Sequence, residues 1–270
     1  MGFSVLMSVY CKENPEYLDK ALESIISQTL VPDEIILIED GPLTKELYKV
    51  IKLKKEQFPG LKPYQLKENV QLGRALAKGI ILCKNEIIAR MDSDDISVKN
   101  RFEIQYNYML KHPGTAVTGG YMEEFCDDGK NYHKTKKMPQ KMPAIKKYAR
   151  YRNPLNHMTV MFRKSKVLEA GSYKHFPYLE DYYLWCRMLS KGNKFYNIPY
   201  VLVKSRTNNK LYSRRGGFKY CMGYLKLRHI QKHLGILSTK EYITAICITI
   251  GMTLQPAALR RLIYQKFLRK

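Results

Sequence analysis

Ile87-Ile88-Ala89-Arg90-Met91-Asp92-Ser93-Asp94-Asp95 is a short apolar run that stops on three carboxylates within four residues. The run has the length and composition of a strand buried on both faces. Three carboxylates at the mouth of such a strand repel one another, and the usual offset is a divalent cation. A hard cation held by one or two carboxylates, with substrate phosphates filling its shell, suits magnesium or manganese. The stretch therefore points to a nucleotide-diphosphate substrate. A competing reading makes Asp92 and Asp94 caps of a helix starting near Val98, because Asp favours such positions.

The neighbouring sequence decides between the two. Phe3 to Val9 reads as an apolar strand. Asn14-Pro15 opens a helix whose apolar stripe is Leu18, Ala21, Leu22, Ile25 and Ile26. Glu34 to Glu39 is a second strand, nearly continuous in Ile and Leu, and Asp40-Gly41-Pro42 is a turn. The pattern then predicts a helix over 43–58, a strand over 63–66, a helix over 72–83 and a strand over 87–91. Ala75, Ala77 and Gly79 let the third helix pack closely. Strands alternating with helices at this spacing predict an α/β fold, a parallel sheet with helices on both faces. Such sheets bind ligands at the carboxyl ends of their strands. Asp40 and Asp92 both fall just past strand ends, so the topology brings them to one crevice and favours a site over a cap.

The middle of the chain is less regular. Helices are expected over 100–110 and 179–189, and strands over 116–121, 158–162 and 200–203. Residues 127–143 carry Gly129, Pro139 and Pro143 and read as a loop. From Phe218 onward the chain is expected to be mostly helical.

A chain of 270 residues with 45% hydrophobic side chains can bury a full core. Its six cysteines stand singly, so neither a zinc site nor a disulfide framework is suggested. The first residues form a strand pattern rather than a signal segment, and a cytoplasmic setting is expected. The formal net charge is +23. Most of it lies after Asp181, where eighteen Lys and Arg face a single acid, Glu241. Nucleic acid, an anionic membrane surface or anionic substrates would each explain that balance.

Several of these segments together resemble the family 2 glycosyltransferases. They are Ser4-Val5-Leu6-Met7-Ser8-Val9-Tyr10, Leu22-Glu23-Ser24-Ile25-Ile26-Ser27-Gln28-Thr29, Glu34 through Gly41 and Glu68-Asn69-Val70-Gln71-Leu72-Gly73-Arg74. Ala89 through Asp95 and Glu180-Asp181-Tyr182-Tyr183-Leu184-Trp185 complete the series. Asn153-Pro154-Leu155-Asn156-His157-Met158-Thr159 is similar to the branch that builds bacterial capsule, exopolysaccharide and O-antigen repeat units. The resemblance implies a GT-A fold over residues 1–212, with a nucleotide-binding half (1–95) and an acceptor half (96–212). A helical, basic extension (213–270) follows. The implied reaction is inverting transfer of one hexose from a UDP-sugar to a polyprenyl-diphosphate-linked saccharide, with galactose the first choice. No Gln-x-x-Arg-Trp motif of processive members is present, and Trp185 is the only tryptophan.

The resemblance also implies roles. Asp40 would accept from the uracil ring, and the backbone at Val9 and Tyr10 would line the base. Arg74 could reach base or phosphate. Asp94 is the expected ligand of Mn2+ or Mg2+, Asp92 meets metal or ribose, and Asp95 orients that shell. Asp181 is the expected general base, at a helix start whose dipole favours the ionised form. Glu180 could share that work. His157 contacts substrate or is structural. Lys204, Arg206, Arg214 and Arg215 could clamp a diphosphate.

Residues 243–254 are apolar, but a spanning helix needs about twenty residues. Residues 259–270 form a basic amphipathic stretch suited to anionic lipid. The expectation is a peripheral enzyme on the inner face of the plasma membrane. Among other classes, a nucleic-acid binder rests on charge alone, with no recognisable module. A nucleotidyltransferase would bring a Gly-rich loop where Tyr10-Cys11-Lys12-Glu13-Asn14 stands. A catalytically silent relative would not need Asp92, Asp94 and Asp181.

Overall fold

The computed structural model describes residues 2–126, 134–207 and 216–255. Strands β1 (Phe3–Val9), β2 (Glu34–Glu39), β3 (Leu61–Gln65) and β4 (Ile87–Met91) run parallel in the order β3-β2-β1-β4. Every residue of β2 and β4 is buried, which is why both read as unbroken apolar runs. Helix α1 (Pro15–Ile26) starts at the expected place, with the Asn14 side chain accepting from the Glu16 N–H at 2.9 Å. Thr44 caps α2 (Lys45–Gln57), and α3 (Leu72–Leu82) follows the third strand. The sheet divides two core layers. Val5, Met7, Ile35 and Leu37 face α1 and α2 through Leu18, Leu22 and Leu47. Leu6, Ile36 and Ile38 face α3 through Leu76 and Ile80. Fully burying one such side chain contributes about 1.5–3 kcal/mol, and both faces of these strands contribute it.

After β4 the chain forms the short strand β5 (Ile96–Ser97) and then α4 (Arg101–Lys111), with Asn100 at its N-cap position. The helix expected near Val98 therefore starts at Arg101. Asp92 and Asp94 precede an intervening strand and are not its caps. The second half adds β6 (Thr115–Phe125), β7 (Lys134–Lys136), β8 (Met161–Arg163) and β9 (Lys194–Arg206). The sheet continues beyond β4 as β8-β6-β9-β5, with β7 on β6. Here β8 is antiparallel to β4 and β6, whereas β9 is parallel to β6. The first half is thus the expected parallel sheet, and the second half is mixed.

Part of the expected 127–143 loop differs from that reading. Helix α5 (Met142–Ala149) begins inside it, with Pro143 in the first turn, where no N–H is needed. A 3-10 turn (His157–Thr159) precedes β8 where the pattern predicts one continuous strand. Helices α6 (Lys164–Glu169) and α7 (Glu180–Ser190) lead into β9, which is far longer than the expected 200–203.

Helices α8 (Phe218–His233) and α9 (Thr239–Thr253) end the described chain. The Gly217 N–H donates to the Thr253 carbonyl at 3.1 Å, so the start of α8 adjoins the end of α9 in a hairpin. Leu227 of α8 packs on Phe176, Leu179, Tyr182 and Cys186. Helix α9 buries Ala245, Thr249 and Thr253 and leaves Ile243, Ile250 and Leu254 exposed. Among the described residues no helix is long and apolar enough to cross a membrane. The expected boundary at 212, Arg214, Arg215 and residues 256–270 lie outside the described residues.

Candidate active site

The site forms where β1, β2 and β4 end. Asp40 follows β2 and is buried; its backbone N–H donates to the Val9 carbonyl at 2.8 Å. One carboxylate oxygen accepts from the Val70 N–H at 2.7 Å. Burial pushes the Asp40 carboxyl up, partly opposed by the Val70 and Gln71 N–H groups. Gly41 lies at φ +90°, and a Cβ there would stand 2.9 Å from the Asn69 nitrogen, so the turn admits only glycine. Val9 is buried and Tyr10 is exposed at the strand end. Arg74 lies in the first turn of α3 and is exposed. Gly73 beside it brings α3 against the next part of the site, because a Cβ there would meet the Lys174 carbonyl oxygen at 2.8 Å and the Glu180 Cβ at 3.1 Å.

Asp92 forms an ion pair with Arg90, whose side chain is almost wholly buried at 1% exposure. The two stand at i and i+2, on one face of the extended chain. Burial works against the charged guanidinium, but Asp92 more than offsets this and Arg90 stays charged. Its Nε and Nη1 have no partner among the described residues. Beneath it Arg101 donates to the Arg90 carbonyl at 2.7 Å and to Gln105 at 2.9 Å, fixing the end of β4. Burial and the neighbouring Arg90 lower the Arg101 guanidinium to about 9, still charged at neutral pH.

Asp94 is only half-buried, yet burial, then Asp92 and Glu13, push its carboxyl up to about 7. Glu13 is held in place by the hydroxyl of Ser93 and the N–H of Asn14. Asp95 is buried, accepts from the Arg206 N–H at 2.8 Å, and is held well up by burial and by Asp94. The Arg206 Nε donates to the Asp94 carbonyl at 3.1 Å while its guanidinium stacks 3.8 Å from the Tyr17 ring centroid. Arg206 thus braces the acidic run from β9. Among the described residues no three His, Cys, Asp or Glu side chains form a ready metal cage. The donor set still fits a hard cation that brings part of its own shell. Asp94 and Asp92 offer carboxylate oxygens, and the crowding that raises Asp94 is the crowding a cation relieves.

Asp181 stands in the first turn of α7 and is buried. Its two oxygens accept from the Asn153 side chain, at 2.5 Å, and from the Tyr182 N–H, at 2.7 Å. Burial raises its carboxyl, opposed by these two donors and by Arg90 and Lys136. Glu180 beside it rises to about 7 through burial and Asp181. Arg90 interacts electrostatically with both Asp92 and Asp181, so the two carboxylates flank one buried cation although they are far apart in sequence. His157 hydrogen-bonds the Tyr173 hydroxyl at 2.8 Å and stands edge-on to Trp185. Burial and Arg90 hold its imidazole well below its usual value, and it is neutral.

The structure thus gathers Asp40, Asp92, Asp94, Asp181 and His157 around Arg90 and the start of α3. Sequence reasoning gives Arg90, Glu13 and Asn153 no role. A lone arginine in an otherwise apolar strand, two positions before Asp92, is a usable signal for the first. Asn153 opens the segment Asn153–Thr159 that resembles the capsule and O-antigen branch, and nothing local marks Glu13.

A mixed sheet with carboxylates past two parallel strands and a third at the mouth of a later helix defines a GT-A glycosyltransferase. Residues 4–173 match Glycosyl transferase family 2, and the chain belongs to that family. It is 39% identical over 267 residues to an amylovoran biosynthesis glycosyltransferase, AmsE, of Erwinia amylovora, covering 98% of each chain. It is 36% identical over 268 residues to the UDP-Gal:alpha-D-GlcNAc-diphosphoundecaprenol beta-1,3-galactosyltransferase of Escherichia coli, covering 99% of this chain and 97% of that one. The fold matches S. aureus TarS 1-349, solved in complex with UDP-GlcNAc, with a TM-score of 0.69 at 14% identity, over 99% of this chain and 76% of that one.

Proposed function

We propose that the protein transfers one hexose, galactose first among candidates, from a UDP-sugar to a saccharide carried on a polyprenyl diphosphate. The transfer inverts the anomeric carbon, is non-processive and belongs to surface-polysaccharide biosynthesis. The observation that carries this reading is the pairing of a crowded carboxylate run, Asp92 and Asp94, with Asp181 across Arg90. The relative that acts on a diphosphoundecaprenol-linked sugar supports the acceptor class.

In this reading the turn at Asp40 and the ends of β1 and α3 hold the uridine. The carboxylate of Asp40 accepts from the uracil ring, the backbone at Val9 and Tyr10 lines it, and Arg74 reaches toward the base or phosphate. Asp94, with Asp92, would hold Mn2+ or Mg2+. A divalent cation at that place neutralises charge developing on the departing diphosphate. Arg90 pairs with Asp92 and orients it. Asp181 takes the proton of the acceptor hydroxyl as that oxygen attacks the anomeric carbon from the face opposite the leaving group. Its two hydrogen-bond donors are neutral, so they orient the carboxylate without making it a salt-bridged, inert anion. The same carboxylate crowding at the crevice would repel a polyanion, which disfavours nucleic acid as the partner.

The protein is also proposed to sit on the inner face of the plasma membrane. Ile243, Ile250 and Leu254 give α9 an exposed apolar stripe, and Phe218 is 74% exposed at the adjoining start of α8. Lysines on α8 and the basic residues 259–270 would meet anionic headgroups. A screen of UDP-sugars with manganese, read by nucleotide release with and without a polyprenyl-diphosphate saccharide, tests the assignment. One UDP-sugar should release UDP slowly alone and much faster with acceptor. No release from any UDP-sugar would sink the reading. Replacing Ile243 and Ile250 by Glu should weaken flotation with anionic vesicles; undiminished flotation would exclude that face.

A further inference from the structure

The C-terminal hairpin carries one arginine that does not face solvent. Arg228 on α8 is 2% exposed, and most of its contacts lie on the segments that flank Asp181. Its guanidinium donates to the Arg150 carbonyl at 3.0 Å and to the Tyr151 carbonyl at 2.7 Å. It also donates to the Tyr182 hydroxyl at 3.2 Å, to Gln231 at 2.8 Å and to Thr249 of α9 at 3.3 Å. Gln231, one turn on, donates to the Ala149 carbonyl at 2.8 Å and to the Tyr182 hydroxyl at 3.1 Å. The carbonyls of 149, 150 and 151 are the acceptors left at the C-terminal end of α5, where a cation is favoured. Arg228 and Gln231 therefore fasten two things at once. One is the segment that runs from α5 into Asn153. The other is the ring of Tyr182.

Asn153 and Tyr182 are the two residues that hydrogen-bond the carboxylate of Asp181. Arg228 touches neither substrate nor the reacting atoms. It holds the chain that leads into Asn153 and the side chain of Tyr182, the residue next to Asp181. We propose that Arg228, with Gln231, is a positioning residue for Asp181, so that the C-terminal hairpin completes the active site instead of serving only as an attachment. This inference rests on the reading of Asp181 as the base.

Removing Arg228 frees the Tyr182 ring and loosens the 150–151 segment that leads into Asn153. The Asn153 side-chain N–H favours the ionised carboxylate, so its displacement makes Asp181 hold its proton to higher pH. The charged and titratable groups facing Asp181 are Glu180 on its own helix, Arg90 of β4, Lys136 of β7, Tyr173 and Cys186. All remain in place in the variant, so a shift reports the displaced support.

The experiment uses the full chain with Arg228→Gln, Arg228→Lys and, should the first not fold, Tyr182→Phe. The last removes the hydroxyl that Arg228 and Gln231 grip but keeps the backbone N–H to Asp181. Arg228→Gln is expected to lower kcat for transfer about 10- to 100-fold, the scale of a misplaced catalytic group, with the KM for UDP-sugar unchanged. The acid limb of its pH profile moves upward. Arg228→Lys recovers part of kcat, and Tyr182→Phe shows a smaller loss in the same direction. A carbon-13 titration of the Asp181 carboxyl reads the same displacement without any turnover. A folded Arg228→Gln protein with unaltered kcat, acid limb and carboxyl titration overturns the inference. If no UDP-sugar is turned over, or Asp181→Asn transfers normally, the functional reading falls instead. The carboxyl titration still decides whether Arg228 positions Asp181.

Discussion

The two acidic groups of this site are built in opposite ways. On the donor side Glu13, Asp92, Asp94 and Asp95 crowd together, with Arg90 ion-paired to Asp92, and the crowded negative charge helps lift Asp94 to about 7. On the acceptor side Asp181 is held by two neutral donors, Asn153 and the Tyr182 N–H. Crowded carboxylates with too few cations call for a cation from outside. A buried carboxylate steadied by neutral groups keeps its capacity to take a proton. The contrast supports the proposal that metal and diphosphate belong to one side and proton transfer to the other.

The sharpest way to break that contrast is Asp94→Ala. It should abolish manganese-dependent UDP binding and lower transfer by ~10³-fold, as expected for loss of several kcal/mol of charge stabilisation. Calorimetric titration of UDP with and without manganese checks it, and manganese-dependent binding that survives would remove Asp94 from the metal site.

A smaller effect concerns pH. Burial raises Asp181 above the usual carboxylate range, so its ionised form, the base in the proposed mechanism, fills at higher pH than for an exposed aspartate. Transfer should therefore rise with pH through a midpoint above about 4, the ordinary aspartate value. UDP binding measured over the same range should not follow that midpoint.

The smallest effect is on stability. Folded Glu180 keeps its proton up to about 7, against an ordinary value of 4.5. The folded state then binds more protons than the unfolded chain between these values, so this group's contribution falls as pH rises through that window. A tenfold difference in proton affinity between the two states is worth about 1.4 kcal/mol, and partial exposure reduces it, so Glu180→Gln should gain on the order of 2 kcal/mol at pH 8. Thermal melts should show a Tm higher by a few degrees at pH 8 and no gain near pH 4.

How far the sequence reveals this site follows from the same division. The donor half is legible because β2 and β4 are buried on both faces, and an unbroken apolar run is then unambiguous. Asp40 and Asp92 can be placed at strand ends from that alone. The acceptor half is not. Strand β9 mixes Lys194, Asn197 and Pro199 with apolar residues, and its register on β6 shifts, so only its most apolar stretch stands out. Pro139 and Pro143 disguise α5. Asn153, which supports Asp181, comes from beyond the far end of α5, and no local pattern encodes a contact made across such a separation. Asp94 illustrates the limit on the donor side. Its carboxylate is visible, but the Glu13 that crowds it lies in a loop eighty-one residues earlier.

The division of labour is tested most directly by measuring Asp181→Asn twice, for UDP affinity with manganese and for transfer to a lipid-linked acceptor. The predicted result is wild-type UDP affinity with transfer reduced ~10²- to 10⁴-fold, the scale of general-base catalysis. Unchanged transfer, or loss of nucleotide binding in step with transfer, would contradict it.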